Sequence, residues 1–230
     1  MLLFDVFGTV VDWRGSIVRE TKAFAAERGL ELDAAAFADA WRAGYRPAMN
    51  RVRSGDLPWM NIDRLHRLIL EEILARFGVT GLSEADMDHL NRVWHRLRPW
   101  PDSVSGLKRL KQKFIISTLS NGNMSLLTEM AKHGGLPWDC ILSAELFHHY
   151  KPDPEAYLGA AALLGARPEE AMLVAAHEDD LAAARASGLR TAFVRRPKEF
   201  GRRSGYDLPR DRSFDHVADD LVHLASQLGV

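Results

Sequence analysis

The chain has 230 residues, 47% of them apolar and 27% charged, which is the balance of a folded globular protein rather than a disordered one. Lys+Arg number 30 against 31 Asp+Glu, so the net charge is −1 and no overall basic field exists to hold nucleic acid or an anionic membrane. A single cysteine, Cys140, excludes an intramolecular disulfide and a cysteine-based zinc cluster, and no apolar run approaches the ~18 residues of a membrane span.

The first segment, Leu2 to Val6, is apolar and β-prone, ends around Asp5 and runs into Gly8-Thr9. It reads as a buried parallel strand with a loop at its carboxyl end. It lacks the basic n-region and small-residue cleavage site of a signal peptide, so the cytoplasm is the expected location. From about residue 15 to 98 the pattern is helical. Ser16 is a candidate cap for a helix ending at Gly29, and Asp33 for a second one that carries Phe37, Trp41 and Tyr45 on one face. Ile62, Leu65, Ile69 and Ile73 form a third stripe that stops by Gly78. Ser83 precedes a fourth, with Met87, Leu90, Trp94 and Leu97 in its seam.

Beyond residue 98 strand and helix alternate. Phe114–Leu119, Ala171–Ala176 and Thr191–Val194 read as buried strands and Cys140–Ala144 as a weaker one. Ser105–Lys113, Ser125–His133, Pro154–Leu164 and Leu181–Ser187 read as helices. The implied fold class is α/β: a Rossmann-like core with a parallel sheet, carrying an inserted helical cap domain. At roughly 150 residues per domain the length fits one domain with such an insertion. The core takes residues 1–14 and 99–230 and the cap 15–98, with crossings near Asp12–Gly15 and Pro99–Asp102.

In an open parallel sheet the ligand crevice lies outside the carboxyl ends of the strands. That rule selects Asp5–Thr9, Ser120–Asn123 and His177–Asp180. Asp5 alone reads more simply as a strand-end carboxylate capping a turn. Ser120-Asn121, Lys151 before Pro152, and Asp180 at the same edge change that weighting. A carboxylate with a charge-compensating lysine suits covalent catalysis by aspartate.

At these residues the chain resembles the haloacid dehalogenase superfamily. FDVFGTVVDW, TLSNGN, YKPDPEAY and DDLAAARASGLRTAFV look like its four ordered motifs, and the helical insertion falls at its cap position. The resemblance implies a Rossmann-like core and an aspartyl covalent intermediate on Asp5, with Thr9 and Lys151 holding that carboxylate. Phosphatases of the superfamily carry a second Asp two residues after the nucleophile and an acidic magnesium ligand four residues before the last Asp. Here those positions are Phe7 and Ala176. A halide leaves without a proton, so the pattern resembles the (S)-2-haloacid dehalogenase branch, type II, with no cofactor. The implied substrate is a small 2-haloacid, with nucleic acid and membrane excluded as partners. That branch has a Trp-Arg pair on the first cap helices, which Trp41-Arg42 matches. Arg42 is then the halide donor, although a solvated face with Arg46 is the plainer reading. Asn121 is the second halide-side donor, Ser120 holds the substrate carboxylate, and Phe7 and Trp59 are candidate apolar walls.

In the fourth motif the branch commonly reads Ser-Ser-Asn-x-Trp-Asp. This chain has Ala175, His177 and Asp179 where serine, asparagine and tryptophan stand. Asp180 is retained to position the hydrolytic water, and His177 is a candidate base for it. The remaining histidines, His66, His89 and His95 among them, are expected at solvated or core-edge positions. Arg195-Arg196 and Arg202-Arg203 are expected in a solvated loop. Members of the family are often homodimers; the sequence carries no interface signature of its own. Two rival readings stand beside dehalogenation: a magnesium-dependent phosphatase, and a non-catalytic binding module on the same fold.

Overall fold

The computed structural model describes residues 1–201, 209 and 213–230; Arg202-Arg203 lie outside the described residues. Strand β1 (Leu2–Phe4) is followed by β2 (Val11–Asp12) and then by α1 (Trp13–Arg28), α2 (Ala34–Arg53), α3 (Ile62–Arg76) and α4 (Glu84–Asn91). A 3₁₀ turn over Arg92–Arg96 leads into β3 (Arg98–Pro99). Then come α5 (Ser103–Leu110), β4 (Ile116–Ser120), α6 (Met124–Gly134), β5 (Cys140–Ser143), α7 (Pro154–Leu163), β6 (Met172–Ala175) and α8 (Glu178–Ala186). The described chain closes with β7 (Arg190–Val194), β8 (His216–Ala218) and α9 (Leu221–Gln227).

Six strands form one parallel sheet in the order β5-β4-β1-β6-β7-β8. β1 lies between β4 and β6, with Phe4 opposite Thr118 on one side and Val174 on the other. Side chains alternate across it: Phe4 and Val174 enter one apolar cluster, Leu3 and Leu173 the other. Burial on both faces explains why these strands read as continuous apolar runs. The chain leaves β1 for one half of the sheet and returns for the other. The carboxyl ends of β1, β4 and β6 therefore open on the crevice where the strand order reverses.

The helical segment lies between β2 and β3, which pair antiparallel with Val11 opposite Pro99 and Asp12 opposite Arg98. Both crossings thus run side by side. Ser16 is not the cap of α1. Asp12 is, its side chain accepting from Gly15 N, while Ser16 sits inside the helix and its Oγ accepts from Arg98 N at 2.8 Å. Gly29 ends α1 in the left-handed region at φ 62°. Asp33 caps α2 as expected, and Ser83, expected just before α4, forms a capping box there with Asp86. The seam of α4 continues through Trp94 and Leu97 only because the helix tightens into the 3₁₀ turn; Met87 packs at its edge.

Of the histidines expected at solvated or core-edge positions, His66 departs from both, and His95 sits at the edge of the core. His66 is fully buried, stacked on Trp94 with ring centroids 4.0 Å apart, and burial pushes its pKa down to about 3. His95 is also buried and bridges Asp63 and Glu129, each at 2.9 Å. β8 and α9 extend the alternation beyond its expected end. No helix among the described residues is long and apolar enough to cross a membrane.

Candidate active site

Asp5 continues β1 by one residue: its N–H donates to Val174 O at 3.0 Å. The chain then curls back, with the N–H groups of Val10 and Val11 both donating to Val6 O, and Gly8 adopts φ 88°. Three side chains pin the outward carbonyls of this loop. Trp100 Nε1 donates to Gly8 O at 2.8 Å, Arg196 Nε to Thr9 O at 2.7 Å, and Ser103 Oγ to Val10 O at 2.7 Å. Arg196 is therefore not a solvated loop residue. It is buried and forks onto both oxygens of Asp102, while Arg195 pairs with Asp219.

Asp5 is 7% exposed and its two oxygens have different partners. Oδ1 receives Lys151 Nζ at 3.1 Å. Oδ2 receives the Thr9 hydroxyl at 2.6 Å and lies 3.2 Å from His177 Nδ1. The Thr9 oxygen itself accepts from Ala176 N at 2.9 Å, which aims its proton at Asp5. Burial opposes the negative charge on Asp5, but Lys151, His177 and Thr9 outweigh it and hold the carboxyl well below the ordinary range.

Lys151 also reaches Asp180 Oδ2 at 2.5 Å, and the Tyr157 hydroxyl donates to Asp180 Oδ1 at 2.5 Å. Burial, reinforced by the charge on Asp5, raises the Asp180 pKa against the pull of Lys151 and Tyr157. Two neighbouring carboxyls pushed in opposite directions are the pattern of a nucleophile beside a base. Lys151 keeps its charge despite burial because both carboxylates raise its pKa. It is seated by Asn121, whose Oδ1 accepts from Lys151 N at 2.7 Å and whose Nδ2 donates to Lys151 O at 3.3 Å. The Lys151–Pro152 peptide is cis. Ser120 is buried behind this loop, its Oγ accepting from Gly122 N.

His177 does not fit the role of base. Its Nε2 lies 3.0 and 3.1 Å from the two oxygens of Glu199, and its Nδ1 faces Asp5. Burial disfavours the cation, yet Glu199 and Asp5 push its pKa up to about 10. At neutral pH both ring nitrogens carry hydrogen and no lone pair is free. The imidazolium is a donor and a compensating charge.

These groups line a cavity of about 860 Å³. One face of α2 supplies its opposite wall, because Arg42, Tyr45, Arg46, Met49 and Arg53 recur at helical spacing. Arg46 pairs with Asp179, and Arg53 with Asp153. Arg42 differs: its Nη1 is buried without a hydrogen-bond partner, and its guanidinium lies over the rings of Trp13 and Tyr45. Phe7 closes the floor, in contact with Tyr45 and Trp94. Trp59 is not a wall of this cavity. It stacks on His148, packs tilted against Tyr150 and lines a separate groove, and the Tyr150 hydroxyl donates to Met60 O in the same loop.

A divalent cation does not fit this donor set. Lys151 Nζ lies between Asp5 and Asp180, Glu199 is turned to His177 and Trp13, and Phe7 and Ala176 offer no oxygen side chain. Among the described residues no three His, Cys, Asp or Glu converge on a metal position.

A family model described as a haloacid dehalogenase-like hydrolase matches residues 1–188. The chain belongs to that family. Among solved structures, an L-2-haloacid dehalogenase is 49% identical, with a TM-score of 0.95 over 99% of this chain and 97% of the other. A defluorinating L-2-haloacid dehalogenase is 48% identical, with a TM-score of 0.96 over 100% and 94%. An (S)-2-haloacid dehalogenase of Burkholderia cepacia is 35% identical over 112 residues, 47% of this chain; the match spans about half, 48%, of that relative's length.

Tyr157 closes the YKPDPEAY motif but is not among the expected site residues, and Glu199 lies outside all four motifs. Tyr157 carried one signal, a hydroxyl one turn into an alanine-rich buried helix. Glu199 carried none, standing alone in a basic stretch whose path depends on β7.

Proposed function

We propose that this haloacid dehalogenase-like hydrolase converts small (S)-2-haloalkanoic acids to 2-hydroxy acids in the cytoplasm, through an ester on Asp5. The observation that carries this reading is one cavity lined by two features: an ionised, buried Asp5, and an Arg42 guanidinium with an unpartnered buried N–H. An anion that forms in this cavity meets the Arg42 side chain on its wall. Helices α1 to α4 act as a cap, residues 15–98, over a core of residues 1–14 and 99–230.

Asp5 attacks C2 with inversion, and the halide leaves toward Arg42 and Asn121. Ser120 and the N–H groups after Asp5 hold the substrate carboxylate. Lys151 stays charged and offsets Asp5 and Asp180. Water then attacks the ester carbonyl; Asp180 takes its proton, as its raised pKa suits a base. The leaving alkoxide recovers that proton and departs as the 2-hydroxy acid. A phosphatase needs a proton donor for its alkoxide, and Phe7 supplies none. A binding module has no use for a buried lysine between two carboxylates, an arrangement that costs desolvation.

The test is halide release from (S)-2-chloropropionate beside phosphate release from an aryl phosphate, each with and without EDTA. The reading predicts halide release unaffected by EDTA and no phosphate. Phosphate release that EDTA abolishes and magnesium restores contradicts it. Arg42→Lys keeps the charge but replaces a planar fork with a flexible point charge. The expected loss in kcat/KM is about 10²-fold, the scale of losing one transition-state donor. Unchanged kcat/KM returns Arg42 to a packing role against Trp13 and Tyr45.

A further inference from the structure

Glu199 lies in the turn after β7, is 3% exposed, and has no place in the mechanism above. Its seat is built. Trp13 Nε1 donates to Oε1 at 3.0 Å, and His177 Nε2 lies 3.0 Å from the same oxygen and 3.1 Å from Oε2. Gly8 leaves the room for it, since a Cβ there would come within 2.1 Å of Oε1. The carboxylate thus presses on the back of His177, and the front of His177 faces Oδ2 of Asp5 and not Oδ1. Carboxylates only accept, so an imidazole held between two of them donates at both nitrogens. The Thr9 hydroxyl converges on the same Oδ2.

We propose that Glu199 is a positioning residue: it holds His177 as a double donor, so that His177 Nδ1–H and the Thr9 hydroxyl assign Asp5 Oδ2 as the carbonyl oxygen of the ester and Oδ1 as the nucleophile. This rests on the ester mechanism above and deepens its second half. Oδ1 attacks C2 and the carbon–halogen bond breaks. Water then adds to Cγ while Asp180 takes one proton, and the negative charge collects on Oδ2. His177 and Thr9 are aimed at the oxygen where that charge develops. Collapse breaks the Cγ–Oδ1 bond, the alkoxide takes the proton from Asp180, and the regenerated carboxyl loses its own proton to solvent. Oδ1 leaves in the product, and the water oxygen stays on Asp5.

Among the described residues, the charged groups facing His177 are Asp5 from the end of β1, Glu199 from the turn after β7, and Asp179 on its own helix; Lys151 and Asp180 lie on the far side of Asp5. With Glu199 present, His177 remains an imidazolium up to about pH 10. Glu199→Gln removes the nearer support, so the ring deprotonates nearer neutrality and the second donor is lost as pH rises.

The experiment is rapid-quench halide release from excess (S)-2-chloropropionate, with intact-protein mass measured in parallel from about pH 7.5 to about pH 9.5. In Glu199→Gln we expect a halide burst of about one per chain and accumulation of the alkyl-enzyme mass. Steady-state turnover should be about tenfold slow at the lower pH and fall further as pH rises, toward the ~10²-fold expected for full loss of one donor. Glu199→Asp should recover part of the turnover. Three results overturn the proposal: turnover in Glu199→Gln that equals the native rate, turnover that rises with pH, or a burst lost in proportion to turnover. Should Glu199→Gln fail to fold, the native enzyme decides: a flat profile across this range supports the proposal, and a steep rise refutes it. Absence of any halide burst in the native enzyme is a different result, because it removes the ester mechanism itself.

Discussion

Asp5→Asn is expected to lower turnover by about 10⁴-fold or more, the scale seen when a covalent nucleophile is removed. The amide is close in shape, so Thr9 and Lys151 keep a partner of the same size, but it lacks the negative charge that attacks C2. Loss of the halide burst as well as of steady-state turnover identifies the first chemical step as the one affected. Turnover within tenfold of the native enzyme would mean that Asp5 does not form the bond.

Lys151→Met is expected to lower stability as well as rate. The ammonium touches both Asp5 and Asp180; Asp5 and Lys151 are buried, and the Asp180 side chain is 11% exposed. Without it two carboxylates face each other, and leaving a buried charge unpaired costs about 3–5 kcal/mol. Loss of activity should accompany this, because Asp5 then gains its stability by taking a proton rather than by ionising. The sign of the pH dependence follows. In the native chain the Asp5 pKa lies below its unfolded value, so its contribution is present above about pH 4 and is lost as pH falls through the lower folded value. In Lys151→Met a carboxyl pKa rises above its unfolded value, so the deficit is largest near neutrality and shrinks on acidification toward about pH 4. Urea unfolding at about pH 7.5 and about pH 5 measures this. A deficit equal at both, or none, would contradict the pairing described here.

The parts of the molecule legible in the sequence are those where a local pattern and its physical cause coincide. Phe114–Leu119 and Ala171–Ala176 read as strands because both faces of β4 and β6, which they contain almost whole, are buried. The Phe37-Trp41-Tyr45 stripe reads as a helix because one face is. Asp5 and Ser120 are legible because they close β1 and β4 at one edge of the sheet; Lys151, in the loop before α7, and Asp180, in the first turn of α8, are legible from the motifs that hold them. The rest depends on contacts across the chain. Ser16 is as good a cap residue as Asp12, and the choice between them is made by Arg98, some eighty residues later, which takes the serine oxygen. β8 is three residues long and carries no periodicity of its own. His66 is polar by composition but buried by the aromatic rings of Phe7, Tyr45 and Trp94. Trp59 stacks on His148 and lines a separate groove. His177 looked like a base because its partner, Glu199, comes from a turn 22 residues away that no motif marks.

Whether Asp5 bonds to the substrate is read from where the oxygen of solvent ends up. A single turnover of (S)-2-chloropropionate is run in heavy-oxygen water with enzyme in excess, and the peptide containing Asp5 and the product are weighed separately. The heavy oxygen is expected in the Asp5 peptide, with an unlabelled 2-hydroxy acid, because the ester opens at its acyl carbon. Label in the hydroxy acid and none in the peptide would contradict it and make Asp5 an activator of water.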